Sequence, residues 1–128
     1  MTQTSRMQGA IDFTITECGA EATRGEMPVQ QGVLNPFGTV HAGALIWFAD
    51  VLATRHVFGA GEIEAGMASF PVAVTLNAQL LSNRQDGVVF GEASWVKKGR
   101  RVSTVRTLVT GPDGKVLLDL TSTHVSAR

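Results

Sequence analysis

One stretch constrains this chain more than any other. From Gly38 to Gly61, GTVHAGALIWFADVLATRHVFGAG, roughly 20 residues run without an internal proline and are dominated by Ala, Leu, Ile, Trp and Phe. Asp50 is the only acid between Thr39 and Arg55. A segment apolar on nearly every side reads as a helix buried on most of its faces, ended by Gly59 and Gly61. Thr39 is the expected N-cap, which would leave the backbone N–H groups of Val40, His41 and Ala42 free at the entrance. A helix of this kind must be surrounded, and the rest of the sequence supplies strands to surround it.

Ile11, Phe13 and Ile15 alternate with polar residues up to Glu17, the period-two pattern of a half-buried strand. Residues 19 to 38 hold several glycines with Pro28 and Pro36, and read as loop with at most one short strand near Met27 to Val29. After a glycine-rich passage to about Ser69, Val72, Val74, Leu76, Ala78 and Leu80 alternate with Ala73, Thr75, Asn77 and Gln79. Further strands are predicted over Val88–Val96, Val102–Thr110 and Val116–Val125, punctuated by Ser82–Gly87, Lys97–Arg100 and Gly111–Gly114. The expected architecture is α+β, one domain over residues 1–128: a curved antiparallel sheet wrapped around one long central helix, with the last four strands a meander of hairpins. A sheet covered by one helix leaves edges exposed, so assembly is expected.

At 128 residues such a domain buries enough surface to fold without a disulfide or a structural metal. Its one cysteine, Cys18, has no internal partner, and no His/Cys cluster has metal-ligand spacing. The first ten residues lack an apolar run, and no stretch approaches the ~20 apolar residues of a membrane span, so a cytoplasmic location and no membrane partner are expected. Eleven basic residues balance eleven acidic ones, which removes the general attraction to phosphate backbones that nucleic-acid binding requires. A polyanionic ligand would need a local cluster of positive charge.

Burying a carboxylate on an apolar helix costs several kcal/mol unless it is paired or stays near water. Within its own helix Asp50 has only the hydroxyl of Thr54 one turn on, and Arg55 lies ~140° around the wheel. Asp50 therefore either faces solvent or a partner chain, or it is a functional carboxylate in a cleft. His41 has two readings, a helix-entry residue holding the turn or an acid–base group. Free amides at a helix start, at the positive end of the helix dipole, suit a carbonyl oxygen that becomes negative during acyl transfer. Asn35 either adds an amide donor there or, as Asn-Pro, initiates the turn.

These residues carry a resemblance. GTVHAGALIWFADVLAT is similar to the helix signature of hotdog-fold acyl-CoA thioesterases, of the phenylacetate-degradation (PaaI) type and the 4-hydroxybenzoyl-CoA thioesterase branch. That family has His-Gly-Gly at the helix entrance and a catalytic Asp or Glu nine residues after the His, a spacing kept by His41 and Asp50. Asn35 matches the family's Asn or Gln six residues before the His, and Thr54 matches a threonine one turn beyond the acid. Ala42 replaces the first glycine: it keeps the N–H that the family uses to polarise the thioester carbonyl, while its Cβ narrows the passage for the acyl group. Some relatives carry a serine on the next strand, where the nearest positions here are Ala73 and Thr75.

The resemblance implies hydrolysis of a small aryl- or acyl-coenzyme A thioester. Asp50 acts as general base or nucleophile in a site with Asn35, His41, Ala42, Gly43 and Thr54. It implies no cofactor, since coenzyme A is part of the substrate, and no metal. Its minimal active unit is a homodimer, usually paired again into a homotetramer. Lys97, Lys98, Arg100 and Arg101, with Arg106 further along, either decorate an exposed turn or hold the phosphates of coenzyme A. Two alternatives stay open: a non-hydrolytic acyl-CoA or lipid-binding hotdog protein, against which a buried carboxylate argues, and a hotdog hydratase or dehydratase, whose histidine motifs differ from His41-Ala42-Gly43. Trp47, Phe37, Phe48, Phe58 and Phe70 serve either as core or as the lining of an aromatic-acid pocket.

Overall fold

A computed structural model describes residues 4–61 and 70–126. The glycine-rich passage after Gly61 lies mostly outside the described residues. Strand β1 (Thr14–Cys18) and strand β2 (Ala22–Pro28) precede helix α1 (Ala42–Phe58), and β3 (Pro71–Leu80), β4 (Val88–Lys97), β5 (Val102–Thr110) and β6 (Val116–Ser126) follow it. All six strands form one antiparallel sheet in the order β1-β2-β4-β5-β6-β3, and α1 packs against every one of them.

Two features differ from the sequence reading. Strand β2 fills most of a segment read as loop. Its inward positions are Thr23, Gly25 and Met27, and its outward ones are Arg24 and Glu26, so only one of three core positions is apolar enough to give the alternation away. The last four strands are also not a simple meander. β4, β5 and β6 are successive hairpins, but β3 pairs with β6 at the far edge of the sheet. The chain between β3 and β4 therefore crosses the end of the fold, where it docks on the segment before the helix. Asn83 brackets Val40, accepting from its N–H at 3.0 Å and donating to its C=O at 2.9 Å, while Val29 N–H donates to Gly87 C=O at 2.8 Å. Local pairing is the default expectation for consecutive strands. It is overridden here because a sheet that must curl around a rod closes better when its two outermost strands flank the helix.

The helix is seated by glycines. Gly25 and Gly91 face each other across β2 and β4. A Cβ on Gly25 would stand 2.9 Å from Leu52 Cδ2 and 3.3 Å from Phe48 Cε1, and one on Gly91 would collide with Leu52 and lie 3.1 Å from Phe48. The missing side chains form a trough into which Phe48 and Leu52 sink, both fully buried. Leu45, Ala49 and Ala53 complete the inward face of α1 against Val89, Ala93, Val105, Val109, Leu118 and Leu120. Gly59, at φ 96°, ends the helix as expected, its N–H returning to Arg55 C=O at 2.8 Å.

Candidate active site

The sheet curls until β1 and β3 stand on either side of α1. In the gap between them lies a cavity of about 670 Å³ whose lining includes Cys18 of β1, Asp50, Thr54 and Arg55 of α1, Phe70, and Pro71 and Ala73 of β3. Asp50 and Thr54 project one helical turn apart into the same space, as their spacing requires. Asp50 is half-buried, and its Oδ1 is buried with no hydrogen-bond partner among the described residues. Burial pushes its carboxyl above the usual carboxylate range, opposed by the nearby ring of His124. A carboxylate held short of partners beside a cavity is poised to accept a proton or to attack.

His124 was not singled out by the sequence. It sits on the inward face of β6, fully buried, in line with Leu118, Leu120 and Ser122. Its Nε2 lies 2.8 Å from Ser122 Oγ, while its Nδ1 is buried without a partner. Burial pushes the imidazole below its ordinary value, opposed by Asp50. The available signal was two polar residues, Ser122 and His124, in an inward register otherwise filled by Leu118 and Leu120. On the neighbouring strand Ala73 lines the cavity, whereas Thr75, beyond a bulge, is exposed and outside the lining.

The helix entrance is built differently from the expectation. The N-cap is His41, not Thr39: its Nδ1 accepts from Gly43 N–H at 2.9 Å, and its C=O accepts from Ala44 and Leu45. The N–H of Val40 is taken by Arg84 C=O and Asn83, and that of His41 by Val33 C=O at 2.7 Å. Of the three amides expected to be free, only that of Ala42 lacks a partner among the described residues. The loop before the helix forces this result, because the isolated bridge between Leu34 and Val40 holds Thr39 and Val40 outside the first turn. Asn35 spends its side chain on that loop, accepting from the N–H of Phe37 and of Thr39 and donating to Thr39 Oγ1 at 2.8 Å. It closes the turn rather than serving as a free donor.

Within one chain the expected site residues fall into two groups. His41 and Gly43 line a smaller cavity, about 240 Å³, together with Trp47 and the segment Gln8–Ile11. Asp50 and Thr54 line the larger one. Ala42 and Asp50 are eight residues apart on a straight helix, about 12 Å along its axis, too far for both to touch one carbonyl group. The aromatic residues divide as well: Phe48 is core, Phe37 is 86% exposed, and Phe70 lines the Asp50 cavity with its ring 5.4 Å from that of Phe58.

Lys97, Lys98, Arg100 and Arg101 are all exposed at the β4–β5 turn, and none pairs with an acid among the described residues. Lys98 Nζ lies 5.5 Å from the centre of the Trp95 ring. Arg106 does not add to this cluster, since Asp119 neutralises it through a bidentate pair at 3.0 and 2.7 Å that holds the Asp119 carboxyl below its ordinary value. The turn lies at the end of the sheet where β5 begins and β6 ends, the end that also carries Pro71 of the Asp50 cavity. From β5 to β3 is two strand spacings, about 10 Å. Among the described residues no group of His, Cys, Asp and Glu is arranged to hold a metal, and no helix is long and apolar enough to cross a membrane.

No family model and no curated protein matches the sequence. Solved structures do. A thioesterase from Haemophilus influenzae is similar at 21% identity and a TM-score of 0.78, covering 88% of this chain and 76% of its own. A variant of a Pseudomonas aeruginosa thioesterase is similar at 24% identity and a TM-score of 0.77, covering 91% and 81%. A hypothetical thioesterase protein from Streptococcus pneumoniae, solved with coenzyme A, is similar at 18% identity and a TM-score of 0.78, covering 91% and 86%. The likeness shows the fold, and the chain has the hotdog fold.

Proposed function

We propose that the chain hydrolyses acyl-coenzyme A thioesters, with Asp50 as the group that activates attack on the acyl carbon. The observation that carries this reading is the Asp50 carboxylate itself, half-buried in the wall of a cavity with one oxygen unpartnered. An acyl-CoA-binding module without chemistry gains nothing from a desolvated carboxylate facing an anionic ligand, so the same observation disfavours the binding-protein reading. A hydratase would use a histidine at the cleft as its base, but the Nδ1 of His41 is occupied as a helix cap, and His124 is fully buried and outside the described lining of the Asp50 cavity. The solved S. pneumoniae protein with coenzyme A on the same fold supports the ligand class.

In the proposed reaction the acyl group occupies the Asp50 cavity. Asp50 takes a proton from water as the water oxygen bonds to the acyl carbon, the oxyanion rests on the Ala42 N–H at the positive end of a second chain's α1, and the C–S bond then breaks as Asp50 returns the proton to the sulfur, releasing the acid and the thiol. Thr54, one turn from Asp50 in the wall of the same cavity, holds the water. Burial that raises the proton affinity of Asp50 favours this base role over direct attack, because a general base is most effective when its pKa approaches the working pH.

The 12 Å between Ala42 and Asp50 supports a site made by two chains, in which each Asp50 works with the partner's helix entrance. Edge strand β3 supports the same reading: it is paired on one side only and exposes Val72, Val74, Leu76 and Leu80, which makes it a template for a second copy. A further pairing of dimers into a homotetramer is proposed on the resemblance alone. The reaction needs no cofactor. Lys97, Lys98, Arg100 and Arg101 hold the phosphates of the coenzyme A moiety at the same end of the sheet. Release of free thiol from short aliphatic, long aliphatic, phenylacetyl and benzoyl thioesters, measured with wild type and Asp50→Ala, tests the reading. The wild type should turn over at least one of them and the variant should lose at least ~10²-fold; equal rates across the panel would end it.

A further inference from the structure

We propose that His124 is a positioning residue for Asp50: Ser122 donates its hydroxyl proton to Nε2, which leaves the ring proton on Nδ1, and that N–H is offered through one water to the unpaired Asp50 oxygen. This rests on the role proposed for Asp50. Asp50 Oδ1 and His124 Nδ1 are both buried side-chain polar atoms without a partner among the described residues. Leaving either group alone in an apolar interior costs free energy, so two such groups of complementary character beside one cavity wall account for each other.

The topology brings them together. His124 is the register partner of Ala73, and cross-strand partners project to the same face of the sheet. Ala73 forms part of the wall of the Asp50 cavity, so His124 stands directly beside that wall, on the side packed against α1. Ala73 brings no polar side-chain atom of its own. The other neighbour of His124 in the sheet is Ser103 of β5, whose hydroxyl is committed to the backbone of Gly99 at 3.1 and 3.3 Å. Neither neighbour competes for Nδ1. Among the described residues, the titratable groups around the cavity are Asp50 and Arg55 on α1, Glu17 and Cys18 on β1, and His124 itself on β6.

Burial favours a neutral ring, which fits a neutral imidazole donating one proton and accepting another. The consequence for catalysis is orientation. One carboxylate oxygen is tied to β6, and the other is turned toward the acyl carbon in a fixed geometry, as supporting hydrogen bonds do for catalytic groups elsewhere.

Two variants separate positioning from packing. His124→Asn keeps an N–H donor near the site of Nδ1, and His124→Leu keeps bulk without a donor. Expected for His124→Leu is a loss of about 30-fold in kcat, the size of one hydrogen bond to a charged group, with KM within about twofold. The acid limb of the pH profile and the Asp50 carboxyl titration followed by carbon NMR should both move upward. His124→Asn should recover most of kcat and of the titration. Wild-type kcat in His124→Leu, or an Asp50 titration that does not move, would overturn the proposal. If the wild type hydrolyses no thioester, the function reading fails, and the Asp50 titration in the two variants still decides whether the imidazole is bonded to the carboxylate. If His124→Leu does not fold, a titration and profile of His124→Asn displaced as far as those expected for loss of the donor would likewise overturn it.

Discussion

Replacing Asp50 by Asn separates what the carboxylate does for chemistry from what it costs the fold. The native carboxyl titrates above its ordinary value because burial disfavours the charge, with His124 opposing the shift only in part. For a carboxyl whose folded pKa exceeds the unfolded ~3.9, both states hold the proton at low pH and folding is not penalised. As the pH rises past the unfolded value and through the folded one, the unfolded chain ionises more readily than the native one, and stability falls. Asparagine is neutral throughout and escapes this loss. Desolvating a buried polar group costs ~1–3 kcal/mol, and the half-exposure of Asp50 with the partial offset from His124 places the cost of its charge at the lower end, about 1 kcal/mol at neutral pH. At a urea m-value of ~2 kcal/mol/M that is a midpoint about 0.5 M higher for Asp50→Asn at pH 7.5, shrinking toward zero near pH 3. Thiol release should meanwhile fall ~10²- to 10⁴-fold, because an amide neither accepts the water's proton nor attacks. The reasoning is refuted if the variant is the less stable protein at neutral pH, or if its turnover stays within tenfold of wild type.

Other consequences can be checked separately. Gly91→Ala pushes a Cβ onto Leu52 and Phe48 and should lower stability by about 1–3 kcal/mol in urea titrations. Reversing the charges of Lys97, Lys98, Arg100 and Arg101 to Glu should raise KM for acyl-CoA about tenfold or more and steepen with falling salt. The same variant should leave the KM of a truncated thioester without the nucleotide unchanged. Single turnover in ¹⁸O-water should label the released acid and leave Asp50 unlabelled, as a general base requires; label in Asp50 on mass spectrometry of its peptide would convert the assignment to nucleophile. His41→Ala removes the cap on Gly43 N–H and should cost about 1 kcal/mol of stability.

Much of this fold was legible because its central rod and its outer strands obey simple periods. The helix announced itself through Gly38–Gly61, and five of the six strands through alternation ended by turn residues. Strand β2 was hidden because its inward Gly25 is part of the trough for Phe48 and Leu52, and a glycine at a core position looks like a loop. The crossing of β3 to the far edge was invisible for a different reason, since pairing order depends on closing the sheet around the helix and not on any local pattern. At the site, Asp50 and Thr54 were readable as one face of a helix. The cap was not: a loop bridge between Leu34 and Val40 decides where the first turn begins. His124 lies 74 residues after Asp50 and comes beside its cavity only through the β3–β6 pairing, so no spacing rule could find it.

In the proposed dimer one carbonyl is served from two chains, by Asp50 of one and the Ala42 N–H of the other. Ala42→Pro deletes that N–H at the first helical position, where proline is well tolerated, after a residue already extended at φ −63° and ψ 136°. Ala42→Pro and Asp50→Asn should each be inactive alone. Unfolded together in equal amounts and refolded, about half of the dimers would be mixed, each with one intact site of two, and the mixture should recover about a quarter of wild-type thiol release. A mixture that forms mixed dimers, shown by a mass tag on one chain, yet stays as inactive as its parents would contradict the account.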